Sequence, residues 1–147
     1  MYTYQLIRRG DYSDAHLIRI TVFVEEQGFV KELDDLDDEA WHVVVYDGDQ
    51  PAATARAFLN DEGLCKIGRV AVMRAYRGQH LGEQMMLWFE EELKKLGARR
   101  FKVSAQVRAS GFYERLGYVR HGEEYLDEYC PHVDMYKPSL AEEAETV

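Results

Sequence analysis

The run Gly68-Arg69-Val70-Ala71-Val72-Met73-Arg74-Ala75-Tyr76-Arg77-Gly78-Gln79-His80-Leu81-Gly82 is the most informative stretch of this 147-residue chain. It opens as an apolar strand ending at Met73, passes through a loop carrying Arg74 and Arg77, and enters a helix near His80. Such a junction presents unpaired backbone N–H groups and the positive end of a helix, a ready seat for phosphate oxygens. Gly78 and Gly82 let backbone approach a ligand and let the helix pack closely on a sheet. The same run also reads as an ordinary basic turn ahead of a surface helix, so its meaning depends on what flanks it.

Upstream, residues 3–8 read as a strand, and Ser13 as the cap of a helix over 14–26 whose apolar positions are Leu17, Ile18, Val22 and Phe23. A polar, acidic loop over 27–40 leads to strands at 41–46, 52–59 and 64–73, separated by the turn signals Asp47-Gly48-Asp49-Gln50 and Asn60-Asp61-Glu62-Gly63. Downstream, Leu81, Met85, Trp88, Phe89, Leu93 and Leu96 form one stripe of a helix over 80–96. Glu90 with Lys94 and Glu91 with Lys95 are spaced as supporting pairs on its outer face. A strand at 101–105, a helix at 109–116 and strands near 118–126 and 132–137 follow. The order predicts an α/β (α+β) domain, a mixed, mostly antiparallel sheet of about seven strands with helices on both faces. Residues 1–137 read as a single domain and 138–147 as a disordered tail.

Composition bounds the function. Apolar residues make up 46% and charged residues 31%, as in a soluble globular domain. The net charge of −9 argues against nucleic-acid binding, and no stretch is apolar enough to enter a membrane. The first 25 residues hold no secretory apolar block, so a cytoplasmic location is expected, with Cys65 and Cys130 as reduced thiols. Charge is uneven along the chain: −9 over residues 1–63, +7 over 64–121 and −7 over 122–147. That division suits an anionic ligand at the basic middle and a cationic one against an acidic part. P-loop, zinc-protease, Cys-x-x-Cys and Gly-x-Ser-x-Gly motifs are absent, and the five histidines show no ligand spacing, so no metal is expected.

Arg77-Gly78-Gln79-His80-Leu81-Gly82 resembles the Arg/Gln-x-x-Gly-x-Gly/Ala loop of the GNAT superfamily of acyl-CoA-dependent N-acyltransferases. Arg69-Val70-Ala71-Val72 is similar to the strand before that loop, and Ala109-Ser110-Gly111-Phe112-Tyr113-Glu114-Arg115-Leu116-Gly117-Tyr118 to the later Ala-x-x-Phe-Tyr stretch. Arg19-Ile20-Thr21-Val22-Phe23-Val24-Glu25-Glu26-Gln27 and Cys130-Pro131-His132-Val133-Asp134-Met135 are similar to segments of its ElaA-like branch. Two positions depart from the family. His80 stands where glycine is usual, and is expected to take the negative φ of a helix start. Gln106 stands where relatives often carry Asn.

The resemblance implies an N-acetyltransferase moving an acetyl group from acetyl-CoA to an amine by direct transfer, without a protein nucleophile. It places the pyrophosphate on Arg77, Gly78, Gln79, His80, Leu81, Gly82 and Glu83. It places the pantetheine along Val70, Ala71, Val72 and Gln106, with a backbone N–H of that strand as oxyanion donor. Tyr113 becomes the general acid, because a phenol can protonate a leaving thiolate. Glu26, His132 and Asp134 are candidate bases, and water is an alternative. The acidic residues between Glu25 and Glu39 suit a cationic small-molecule amine, and a homodimer is left open. Two other classes stay open: a CoA-binding sensor without turnover, and a nucleotide-binding α/β protein.

Overall fold

The computed structural model describes residues 1–30 and 34–138; the tail expected over 138–147 lies, beyond Pro138, outside the described residues. Seven strands form one sheet: β1 (Tyr2–Ile7), β2 (Trp41–Asp47), β3 (Gln50–Leu59), β4 (Leu64–Val72), β5 (Arg100–Gln106), β6 (Val119–Asp127) and β7 (Cys130–Lys137). Their spatial order is β1-β2-β3-β4-β5-β7-β6. Every neighbouring pair is antiparallel except β4 with β5, which are parallel. A parallel pair needs a crossover, supplied here by α2 (Leu81–Lys95). The expected mixed, mostly antiparallel sheet is therefore observed.

Helices cover both faces, and the strands show why. Val43, Val44 and Val45 of β2 are all fully buried. Val43 and Val45 pack on the α2 side with Met85, Phe89, Ile67 and Val103. Val44 packs on the opposite side with Ala15 and Ile18 of α1 (Ser13–Arg19) and with Ala71. A strand buried on both faces loses the polar alternation of a half-exposed one. No helix among the described residues is long and apolar enough to cross a membrane.

Several local expectations are corrected. Ser13 does not cap α1; Asp11 Oδ1 instead accepts from both the Ser13 backbone N–H at 2.9 Å and its hydroxyl. The helix expected over 14–26 stays α only to Arg19 and continues as a π-helix, Ile20–Glu26. The β-branched run Ile20-Thr21-Val22 is a weak α-former, and Thr21 Oγ1 donates back to the Leu17 carbonyl at 2.8 Å. In α2, Leu96 lies outside the buried stripe at 41% exposure, while Met86 belongs to it. Glu90 is not an outer-face residue. It is 2% exposed, accepts from the Tyr118 hydroxyl at 2.7 Å and meets Lys137 Nζ at 2.8 Å. The outer-face pairs are three apart instead, Glu91 with Lys94 and Glu92 with Lys95.

The acidic loop is not simply solvated. It holds a 3₁₀ turn, Asp37–Glu39, and Asp37 is buried there. Asp37 Oδ1 takes hydrogen bonds from Arg19 at 3.0 Å and from Arg56 at 2.9 Å, and Oδ2 contacts His16 Nε2 at 2.8 Å. Arg56 also forks onto both oxygens of Asp34 at 2.9 Å. This network ties α1 and β3 to the loop. Burial alone would raise the Asp37 carboxyl, but the bonds from His16, Arg19 and Arg56 outweigh it and hold it at about 2.

Two outcomes follow. Asp37→Ala leaves Arg19, 1% exposed, beside an uncompensated site, and should cost about 3–5 kcal/mol in urea unfolding. The folded carboxyl titrates below its unfolded value of 3.8, so its stabilisation is complete above that value. The difference in unfolding free energy between wild type and Asp37→Asn should therefore be full at neutral pH and shrink as pH falls from about 4 towards 2.

Candidate active site

β4 and β5 pair only over Leu64–Ile67 and Arg100–Val103. Beyond that both strands continue, β4 to Val72 and β5 to Gln106, without pairing to each other. The sheet thus opens into a V. Each strand stays fixed on its outer side: Ala71 and Val72 face Thr54 and Ala53 of β3, and Gln106 faces His132 of β7. The Met73 N–H donates to the Ala52 carbonyl at 2.8 Å. Strand alternation then turns the amide of Val72 to the open edge and that of Ala71 to β3. Val70, which lines the cavity, follows the irregular stretch at Arg69. The opening is accompanied by a register shift between Thr54 and Arg56 and by a left-handed Arg69, φ 52°. Sequence reading did not single out Arg69, and a bulge at a non-glycine residue leaves little composition signal.

The basic loop closes one end of the V. A 3₁₀ turn, Arg74–Tyr76, leads to Gly78, φ 79°, where an added Cβ would meet nothing within 4 Å. His80 then takes φ 61° and ψ 18°, immediately before α2. This corrects the expected negative φ: the chain turns into the helix through a left-handed residue, a conformation costing a non-glycine residue roughly 1–2 kcal/mol. The N–H groups of Leu81, Gly82 and Glu83 form the first turn of α2, and the first intrahelical bond runs from the Gln84 N–H to the His80 carbonyl at 3.1 Å. Gly82 itself packs inward, where a Cβ would lie 3.2 Å from the Phe112 ring and 3.3 Å from a Val72 methyl. Gln79 accepts from the Tyr2 hydroxyl at 2.9 Å, and Glu83 takes the Arg115 Nε at 3.1 Å.

Arg77 is not simply solvent-facing. Its Nε donates to the Val72 carbonyl at 2.9 Å and its Nη2 to Glu26 at 3.0 Å, and Arg74 lies 3.6 Å from the same carboxylate. Glu26, one of the candidate bases, thus has its oxygens engaged by two guanidinium groups at the loop.

The cavity in the V has a volume of about 610 Å³ and brings Val70, Gln106, Tyr113 and His132 together. Tyr113 comes from α3 (Ser110–Arg115) and is 8% exposed. Its ring packs edge-on against Phe112 and Tyr118, and its hydroxyl hydrogen-bonds to no described residue. Burial pushes its phenol well above the usual tyrosine value. His132, 6% exposed, places Nδ1 2.8 Å from the Cys130 carbonyl. A carbonyl only accepts, so Nδ1 carries a proton; in the neutral ring the lone pair is then on Nε2, 4.0 Å from Asp127. Gln106 donates to the Gln27 side chain and accepts from Arg108 Nε, each at 2.8 Å. Asp134 stands behind the wall, accepting from the Tyr125 hydroxyl at 2.7 Å, and Tyr125 in turn bonds Ser104. Sequence reading missed Ser104 and Tyr125, because their link needs the β6–β7 register. Asp34 and Asp37 do not serve the cavity as free carboxylates, since they are taken up by Arg56 and Arg19.

The acetyltransferase (GNAT) domain family matches residues 9–139. A Bacillus subtilis protein named N-acetyltransferase YjcF is 37% identical over 127 residues, covering 84% of this chain and 90% of that protein. The crystal structure of an acyl-CoA N-acyltransferase from Pseudomonas aeruginosa superposes with a TM-score of 0.82 at 28% identity, covering 92% of this chain and 99% of the other. Escherichia coli ElaA gives 0.82 at 27% identity, again over 92% and 99%. The split sheet, the helix end beside it and these likenesses agree: the chain belongs to the GNAT family and is an acyl-CoA-dependent N-acetyltransferase.

Proposed function

We propose that this enzyme transfers the acetyl group of acetyl-CoA directly to a small-molecule amine, with Tyr113 as general acid and His132 as general base. The observation that carries the assignment is the cavity that holds a buried tyrosine hydroxyl with no described hydrogen-bond partner and a histidine whose Nε2 lone pair is fixed by its other nitrogen. A structural tyrosine would spend its hydroxyl on a neighbour.

The pyrophosphate lies on the first-turn N–H groups of Leu81, Gly82 and Glu83, with Gly78 giving open backbone and Arg74 and Arg77 supplying charge. The pantetheine arm runs in the V along β4, and the Val72 amide faces it and the developing oxyanion. The acceptor ammonium gives one proton to His132 Nε2. Its nitrogen then bonds the acetyl carbon, the carbon–sulfur bond breaks, and Tyr113 protonates the departing sulfur. The second ammonium proton restores the phenol. A phenol held above its ordinary pKa stays protonated through the alkaline range and keeps its proton available for the thiolate.

Four outcomes test the roles. Tyr113→Phe should leave acetyl-CoA affinity within a few-fold and lower turnover by roughly 10²–10⁴; wild-type turnover removes Tyr113 from the mechanism. Because burial raises this phenol, the wild-type rate should show no alkaline fall from Tyr113 near pH 10, checked by a kcat profile. His132→Gln should lower turnover by a similar roughly 10²–10⁴, whereas Glu26→Gln should retain it. Arg77→Glu, which sets a carboxylate against Glu26, should weaken acetyl-CoA binding in calorimetry, and unchanged affinity would take the pyrophosphate off this loop.

A further inference from the structure

The polar side chains of the cavity wall are mostly spent on one another. Gln27 and Gln106 bond each other, Gln106 also takes Arg108, and Ser104 is bonded to Tyr125. Arg56 is forked onto Asp34 and Asp37. An acceptor rich in hydroxyl groups would lose water there without gaining matching partners, which selects strongly against it.

Beside these groups the described wall carries a set of apolar side chains. Phe23, Phe29, Leu36, Phe58 and Ile67 line the same cavity. Phe23 meets Phe29 edge-on at 6.5 Å, so two rings run along the cavity, and Phe29 is backed by Tyr129, stacked at 5.5 Å and 17°. Phe58 lies opposite on β3 with the Arg56 guanidinium 5.1 Å from its ring centre.

Charge along the V is polarised. His132 pairs with Gln106 at the open end, next to the exposed turn carrying Asp127 and Glu128. Lys66 pairs with Lys102 at the closed end, where Lys102 meets Asp134, and between the two ends Arg56 and Arg69 lie against Asp34. One ammonium is welcome beside His132 and the acidic turn, while a second would be carried towards Lys66.

We infer that the acceptor is an arylalkyl primary monoamine, its ammonium at His132 and its ring among Phe23, Phe29 and Phe58; this rests on the acetyl-transfer reading of the same cavity. The class is set by what the wall can still bind. An aromatic body finds ring faces, and a single amine finds a lone pair and two carboxylates.

The experiment compares phenethylamine, spermidine and glucosamine as acceptors, by thiol release and by mass of the acetylated product. Acetyl-CoA binding is measured by calorimetry on the same preparation. Phenethylamine should be preferred by about tenfold or more in kcat/KM, the margin that a few buried apolar groups supply. Preference for spermidine or glucosamine overturns the inference and leaves acetyl transfer standing. Binding of acetyl-CoA without acetylation of phenethylamine also overturns it, whereas failure to bind acetyl-CoA overturns the transfer reading as well. Phe29→Leu should raise KM for phenethylamine roughly three- to tenfold, as the loss of an aromatic contact does, with acetyl-CoA affinity unchanged. Because Phe29 also stacks on Tyr129, Phe58→Leu serves as a second variant on the opposite wall. An unchanged KM in both counts against the ring assignment.

Discussion

The separation of β4 from β5 after Ile67 and Val103 is the constraint on which the site depends. Two adjacent parallel strands normally satisfy each other's backbone groups to their ends. Here they part while each remains paired on its outer side, β4 to β3 and β5 to β7. The inner edges are left with polar backbone groups and a space between them. The crossover that joins them, α2, must begin where β4 ends, so its positive end is delivered to the open mouth. The strand after the crossover must end across that mouth, so α3, and with it Tyr113, arrives on the other side. A helix terminus, strand edges freed from each other and a buried tyrosine converge because of connectivity alone.

Keeping the V open requires the β3–β4 side to be rigid, and the arginine–carboxylate network serves there. Arg56 lies opposite Gly68, at the point where the register shifts, and is held by Asp34 and Asp37; Arg69, left-handed, lies 3.6 Å from Asp34. Removing any one partner would leave buried charge, so the network resists piecemeal rearrangement. It also commits the Asp34 and Asp37 carboxylates to arginine. The excess of basic residues over 64–121 disperses in the same way, since Arg77, Lys94, Lys95, Lys102 and Arg115 each meet a carboxylate. Blocks of charge in a sequence became pairs in space.

The order of elements along the chain, the crossover and the basic loop before α2 were legible in the sequence, because each leaves a periodic or compositional mark: alternating apolar residues, a helical stripe, Gly with Arg before a helix. Tyr113 was legible only through the family motif. What escaped reading depended on distant partners. Glu90 has the spacing of an outer-face residue, yet it is drawn inward because Tyr118 and Lys137, far along the chain, offer it a hydroxyl and an ammonium. Ser13 has the residue type of a cap, but it is the first residue of the helix itself, and its N–H and hydroxyl both go to Asp11, two residues earlier. The shift from α to π winding after Arg19 lay in a run of β-branched residues whose weak helix preference does not specify which alternative wins.

His80 shows why a binding loop can be readable while its residues remain individually ambiguous. The loop offers backbone amides, so its chemistry tolerates any side chain that permits the turn. The turn needs φ 61° at this position, which glycine adopts freely and histidine adopts at a cost. That strain persists because the segments on either side are anchored, Arg77 to Val72 and Glu26 before it, and Leu81 and Gly82 in the core after it. The side chain so displayed is exposed and lies 3.6 Å from Glu83. The groups proposed for proton transfer obey the opposite rule. Tyr113 and His132 are singled out by the one atom each leaves uncommitted, and that is a property of their neighbours rather than of their own identity.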